Sequence, residues 1–233
     1  MNSAHDCDYD ILIKFTNYSE DMMNGQLYCN NIDYFRKADS EDGLGDQGEG
    51  TIGFSNRPSI SVNNEMLSVD GLKLNGKDNF LFCMTALSPS WMNLENQKFK
   101  LSKEKIQKFK KFGTTDGVVI TKPDDFIKRI EETCKKLRIS CFHKLVDYRD
   151  RDFGDLETLH KEIDSKIPAS YVAPFLKPIT YRWQREYRFL FFDVPQELVK
   201  GDHFVLDIGP LNRAYDANSD IPLAIQRRNI FRK

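Results

Sequence analysis

The segment 182–192 (RWQREYRFLFF) constrains the fold most, because it has the composition of a β-strand that ends inside a hydrophobic core. Successive side chains of a strand point to opposite faces, so Gln184, Glu186 and Arg188 are predicted to share one face. From Phe189 onward both faces are apolar, which is typical of an interior strand. An amide and a carboxylate are therefore expected to point the same way beside a core.

A carboxylate in that position loses its hydration and needs a partner. In one interpretation Arg185 or Arg188 neutralises Glu186, and the group is a structural ion pair. In the other interpretation the carboxylate acts in chemistry together with Gln184. The strand pattern alone leaves both interpretations open.

Length and charge limit the class of protein. With 233 residues and 40% hydrophobic content, the chain is predicted to form one domain over residues 1–233. The formal net charge of -1 gives no overall attraction to nucleic acid or anionic membrane, so a basic binding surface must be local. The candidates are Lys108–Lys111 and Arg227–Lys233, the latter in a basic C-terminal tail over 210–233. The polar, acidic start of the chain and the lack of a long apolar run predict a cytoplasmic protein with no membrane partner.

Metal-ligand patterns are missing from the sequence. The five cysteines include no C-x-x-C pair, and the four histidines show no ligand spacing. We therefore predict no metal site. His143 could serve as a base, but a lone histidine in a strand is more often a hydrogen-bonded structural residue.

The order of elements predicts an α+β fold, because strands and helices are mixed without the regular alternation of a doubly wound sheet. Predicted strands cover 11–16, 27–29, 51–54, 59–62, 72–74, 80–85, 117–121, 139–146, 182–192 and 204–208. Predicted helices cover 19–24, 102–112, 123–137 and 156–167, and the helix at 123–137 is expected to bury Phe126, Ile127, Ile130 and Leu137. The glycine-rich stretch 37–50 and everything from Pro210 onward are predicted to be loops.

Three motifs occur in an order that resembles the ADP-ribosyltransferase superfamily. A first strand carries Lys14-Phe15-Thr16 and is followed by a helix and Gly25-Gln26-Leu27-Tyr28; a central strand ends Cys83-Met84-Thr85; a late strand carries Gln184-x-Glu186. The resemblance implies a single domain with a split, mostly antiparallel central sheet of ADP-ribosyltransferase type and peripheral helices. It also implies NAD as a substrate.

The resemblance assigns roles to particular residues. Glu186 would stabilise the positive charge that develops on the ribose when the nicotinamide bond breaks, and Gln184 would orient the acceptor. In that family, Q-x-E members modify protein amides or guanine bases, so a nucleic-acid base or a protein side chain is expected as acceptor. The resemblance places Lys14 and Thr85 in the NAD site. Thr16, Tyr34 and Arg36 are further candidates for binding NAD, with Tyr34 stacking on nicotinamide or adenine and Arg36 contacting phosphate.

A second likeness concerns biological context. Tyr34-Phe35-Arg36, Gly45-Asp46-x-x-Glu49-Gly50 and the late Glu-Tyr-Arg are similar to bacterial domains of unassigned function that are often met near phage-defence genes. This likeness implies a toxin or antiviral effector, with an antitoxin or regulatory protein as a partner.

Two further function classes stay open. The first is a non-catalytic module on the same scaffold that binds RNA, DNA or a protein through basic and aromatic patches. The second is a metal-dependent nuclease, which rests only on scattered acids without a recognisable spacing: Asp46, Glu49, Asp147, Asp150 and Asp152. Label transfer from NAD, measured with and without Glu186, separates the transferase from the module.

Overall fold

The computed structural model describes residues 11–38, 45–57, 59–62, 65–68, 70–87, 92–95, 98–101, 116–154, 156–162, 168–212, 214–217 and 221–222. Backbone proximity divides the chain into two compact units. The first unit takes Met1–Leu27, Met84–Lys136 and Leu206–Lys233, and the second takes Tyr28–Cys83 and Leu137–Val205.

Strands dominate the described elements. They are β1 (Ile11–Phe15), β2 (Gln26–Asn31), β3 (Thr51–Gly53), β4 (Ser59–Val62), β5 (Glu65–Ser68), β6 (Gly71–Lys73), β7 (Phe80–Leu87), β8 (Met92–Glu95), β9 (Lys98–Leu101), β10 (Gly117–Ile120), β11 (Ser140–Leu145), β12 (Asp147–Tyr148), β13 (Leu176–Lys177), β14 (Glu186–Phe192), β15 (Val199–Lys200), β16 (His203–Asp207), β17 (Ala214–Asp216) and β18 (Ile221–Pro222). The α-helices are α1 (Ser19–Met23), α2 (Ile32–Lys37), α3 (Pro123–Leu137), α4 (Leu156–Glu162) and α5 (Ala169–Val172). Short 3-10 helices cover Ala173–Phe175, Ile179–Gln184 and Gln196–Leu198.

The first unit contains an antiparallel arrangement in which β1 pairs with β7 on one side and with β10 on the other. Strand β10 also pairs with β17. Ile11, Ile13, Leu87 and Val119 form a buried cluster on one face of these strands. Alternation along β1 puts these apolar side chains together, because every second residue of a strand faces the same side.

Helix α3 of the first unit is amphipathic. Its buried residues Phe126, Ile130 and Cys134 recur every fourth position and therefore form one stripe. The predicted boundaries of this helix are confirmed. The predicted inward position of Leu137 is wrong, since its side chain is exposed and Cys134 lies on the buried stripe instead.

In the second unit, β14 lies between β7 and the antiparallel strand β11. Six of its seven residues are buried, which confirms the prediction of an interior strand. Strands β15, β16, β2 and β7 follow one another in the same sheet. Phe175, Leu190 and Ile32 belong to one buried cluster beside this sheet.

The structure differs from the sequence prediction in three places. Strand β14 begins only at Glu186, because Gln184 ends a 3-10 helix and Arg185 adopts a left-handed conformation with φ 48. Helix α2 was not predicted; the Asn31 side chain caps it by accepting a hydrogen bond from the Tyr34 backbone N–H at 2.9 Å. The region after Pro210 is not all loop, since β17 pairs with β10.

The α+β class and the mostly antiparallel sheet are confirmed. A sheet of ADP-ribosyltransferase type and a single domain over 1–233 stay predictions. Several other predictions lie outside the described residues, namely the helix at 102–112, the helix end at 163–167, the loop at 39–44 and the basic residues 227–233. No helix in the described part of the chain is both long and apolar enough to cross a membrane.

Candidate functional site

A group of buried charged and polar side chains lies in the second unit, and we call it the charged network. Strand β14 supplies Glu186 and Arg188, and β13 supplies Lys177. Gln184 comes from the end of a 3-10 helix, and Glu49 from the turn before β3. All five residues are buried, and Glu186 is the most exposed at 7%.

The Glu186 carboxylate has a cation on each oxygen. The Lys177 ammonium donates to Oε1 at 2.6 Å, and the Arg188 Nε donates to Oε2 at 2.6 Å. The same Lys177 ammonium donates to the Gln184 Oε1 at 2.6 Å. Gln184 and Glu186 therefore converge on one positive group, although they do not lie on one continuous strand.

Arg188 joins this pair to a second carboxylate. Its Nη1 and Nη2 donate to the two oxygens of Glu49 at 2.7 and 2.9 Å, a bidentate contact. Its Nη1 also donates to the backbone carbonyl of Pro174. The guanidinium thus ties β14 to the turn before β3 and to the 3-10 helix at Ala173–Phe175.

The electrostatics of the charged network favour the charged forms of Glu186 and Arg188. Burial raises the pKa of the Glu186 carboxyl, but the charges of Arg188 and Lys177 outweigh it and bring that pKa to about 2. Burial lowers the pKa of Arg188, and the carboxylates of Glu186 and Glu49 more than reverse this. Two buried carboxylates face two buried cations, so the formal charges cancel.

Two neighbouring groups complete the surroundings. The Tyr148 hydroxyl oxygen accepts a hydrogen bond from the Glu186 backbone N–H at 2.7 Å, and burial together with the Glu186 charge raises the pKa of Tyr148. Asp46 forms an ion pair with Arg151, whose Nη1 donates to the Asp46 Oδ1 at 3.1 Å. Arg151 also donates to the Leu176 carbonyl, next to Lys177 in the chain.

Two residues predicted to bind NAD lie on neighbouring strands of the first unit. Thr85 on β7 is the direct cross-strand partner of Ile13 on β1, so these two side chains point to the same face. Lys14 follows Ile13 and therefore points to the opposite face. The register places Lys14 and Thr85 on opposite sides of the sheet, where they do not line one pocket together.

The other predicted NAD contacts lie elsewhere. Arg36 donates to the Glu49 and Leu74 carbonyls and to the Asp33 carboxylate at 2.8, 2.9 and 2.8 Å, so its guanidinium ties α2 to neighbouring turns. The Thr16 hydroxyl accepts from the Tyr18 N–H at 3.0 Å just after β1. Tyr34 is 39% exposed on α2.

Sequence reasoning missed Lys177 and the pairing of Arg188 with Glu49. A signal for Lys177 was present, because it directly follows the apolar run Val172–Leu176 and precedes a proline, which is an unusual place for a solvated lysine. The partnership of Glu49 with Arg188 had no local signal, since 139 positions separate the two residues.

Three of the five acids proposed for a nuclease are bound to other groups. Asp46 is bound to Arg151, Glu49 is bound to Arg188, and Asp152 accepts from the backbone N–H groups of Ser55 and Gly154. Across the described residues, no group of three or more His, Cys, Asp or Glu side chains is placed to hold a metal ion.

Comparisons with protein-family models, with curated proteins and with solved structures found no match to this chain. The class of the molecule therefore rests on its fold and on the charged network. It is an α+β protein whose second unit contains a buried ion-pair network with formal charges that cancel.

Proposed function

We propose that this chain is a non-catalytic binding module for nucleic acid or protein, and that the charged network holds its second unit together. The observation that carries the proposal is the double ion pair of Glu186, whose two oxygens contact Lys177 and Arg188 at 2.6 Å each.

Transferase chemistry makes a demand that this geometry does not meet. A carboxylate that stabilises a ribose cation must accept a hydrogen bond from the sugar hydroxyl and face the developing charge. Here the Lys177 ammonium stands in that position against both Gln184 and Glu186. Removing one partner from a buried ion pair costs about 3 to 5 kcal/mol, so opening the network for a substrate is expensive.

The residues expected to bind NAD add a second support. Lys14 and Thr85 point to opposite faces of their strands, and Arg36 is occupied by two carbonyls and a carboxylate. Their positions therefore do not favour one dinucleotide pocket that all three residues would line.

ADP-ribosyl transfer is the second candidate, and one observation favours it. The Gln184 and Glu186 side chains converge on a single cation, and Glu186 is ionised with its pKa lowered to about 2. Such a pair is complementary to positive charge, which is also the charge of the sugar in the transition state. In this candidate Lys177 withdraws and the ribose takes its place.

Labelled NAD distinguishes the two candidates. The wild type, Glu186→Gln and a control variant are incubated with RNA, DNA and lysate protein, and transferred label is counted. Glu197→Gln is a suitable control, because Glu197 is exposed and lies outside the charged network. Near-ultraviolet circular dichroism establishes that each variant is folded.

A binding module transfers no label in any sample. Its binding to a nucleic acid weakens as the salt concentration rises, whereas binding to a protein partner is less sensitive to salt. Transfer by the wild type and by Glu197→Gln that disappears in folded Glu186→Gln establishes the second candidate instead. Transfer that is the same in all three samples excludes both Glu186 chemistry and a non-catalytic module.

A further inference from the structure

A cleft of about 490 Å³ opens in the second unit, and we call it the Tyr34 cleft. Its volume lies in the range of small-molecule sites. Its walls come from α2, the end of β2, the turn before β7, and the segment that joins the last 3-10 helix to β16. The lining includes Tyr34 and Gln196, two lysines (Lys37 and Lys77) and three acids (Asp33, Asp78 and Asp202).

The Tyr34 ring gives the cleft an aromatic surface. It is 39% exposed, and it contacts Phe35 edge-on with ring centroids 5.4 Å apart. The Tyr34 backbone is held by the Asn31 cap at the start of α2. The backbone that carries the ring is therefore ordered before any ligand binds, which lowers the entropy lost on stacking.

Two ammonium groups at the Tyr34 cleft can contact an anionic group beside that ring. Lys37 and Lys77 are exposed, and within the described part of the chain neither ammonium has an ion-pair partner. Three acids also line the cleft, and each has a partner. Asp33 is paired with the Arg36 guanidinium at 2.8 Å. Asp78 accepts from the Asn75 amide at 2.6 Å, and Asp202 lies 3.2 Å from the His203 ring nitrogen.

We propose that the Tyr34 cleft binds a nucleoside 5′-phosphate, with the base stacked on Tyr34 and the phosphate between Lys37 and Lys77. Gln196, which is exposed at the same cleft, supplies a polar group for the ribose hydroxyls. This inference rests on the proposed binding function and names its ligand class. The same chemistry is presented by a free nucleotide and by a nucleotide within a single strand of RNA.

Calorimetric titration tests the site with four probes: AMP, adenosine, inorganic phosphate and a short single-stranded RNA. Tyr34→Leu removes the stacking surface, and base stacking on an aromatic ring is worth about 1 to 3 kcal/mol. The Kd for AMP is therefore expected to rise about 5- to 150-fold. Lys37→Gln combined with Lys77→Gln is expected to weaken AMP and phosphate while leaving adenosine unchanged.

Matched controls come from the first unit. Tyr18→Leu changes a tyrosine that is 72% exposed, and Lys135→Gln with Lys136→Gln removes two exposed lysines from α3. Both controls are expected to keep the wild-type Kd. RNA that binds more tightly than AMP, and that loses affinity in the same cleft variants, identifies a single strand as the source of the nucleotide.

The proposal is overturned if the folded wild type binds neither AMP nor RNA at millimolar concentration, or if cleft and control variants bind alike. This outcome is distinct from failure of the binding-module proposal, which the labelled-NAD experiment reports through Glu186. The affinity of the Tyr34 cleft for nucleotides and the transfer of label from NAD are measured independently of each other.

Discussion

Removing the guanidinium of Arg188 is the most informative change to the charged network. Arg188→Met keeps much of the side-chain volume but leaves Glu49 without its ion-pair partner and Glu186 with Lys177 alone. Arg188 is 1% exposed, so water does not replace the lost hydrogen bonds unless the unit opens.

The magnitude follows from that burial. Breaking a buried ion pair by removing one partner costs about 3 to 5 kcal/mol, and here one cation serves two carboxylates. For a chain of this size each kcal/mol shifts the melting temperature by about 2 to 4 °C. Arg188→Met is therefore expected to lower the melting temperature by roughly 6 to 20 °C.

Urea unfolding and thermal melts measure this loss. The control is Arg57→Met, which removes an ion pair to Asp70 in which both side chains are more than two-thirds exposed, and which is expected to cost less than about 1 kcal/mol. Adding Glu49→Gln to Arg188→Met is expected to recover part of the stability, because one buried charge fewer lacks a partner. Equal losses for Arg188→Met and Arg57→Met would refute the reasoning.

Three further predictions concern both units. Because the pKa of Glu186 is lowered from 4.5 to about 2 in the folded state, its stabilisation of roughly 3 kcal/mol is complete above pH 4.5 and is lost as the pH falls toward 2. Urea unfolding at pH 7, 5 and 3 should thus show that the free energy of unfolding falls less with decreasing pH for Glu186→Gln than for the wild type. Phe189→Ala, at a fully buried position of β14, is expected to cost about 3 to 5 kcal/mol in the same assay. Because this variant keeps Glu186, its cost relative to the wild type should be the same at all three pH values. Gly25→Ala places a Cβ 2.0 Å from the Gly209 carbonyl oxygen at φ 87, whereas Gly201→Ala at φ 69 meets nothing within 4 Å. Melting curves should therefore show about 1 to 2 kcal/mol lost for Gly201→Ala and clearly more for Gly25→Ala.

Local patterns in the sequence were sufficient to predict the helices and strands that bury one face or both faces. Helix α3 follows from apolar residues at helical spacing, and the interior position of β14 follows from its run of aromatic and aliphatic residues. The ion pair between Glu186 and Arg188 was one of the two interpretations of that segment, and it is confirmed. These features depend on residues that are close in the chain.

Features that depend on contacts between residues far apart in the chain could not be predicted from local sequence patterns. Glu49 meets Arg188 only because the sheet brings the turn before β3 to β14, and Lys177 reaches both Gln184 and Glu186 from a separate short strand. The left-handed Arg185 that ends the 3-10 helix also has no signal of its own, since non-glycine residues rarely adopt that conformation. Strand register, which separates Lys14 from Thr85, is likewise set by pairing across the sheet.

The central claim is that the Glu186 carboxylate is held by Lys177 and Arg188 as part of the folded framework. Transfer of label from NAD by the folded wild type, compared with folded Glu186→Gln, tests it most directly. The account predicts no transfer that depends on Glu186 in any acceptor mixture. Transfer by the wild type that Glu186→Gln abolishes, with the variant still folded, would contradict it.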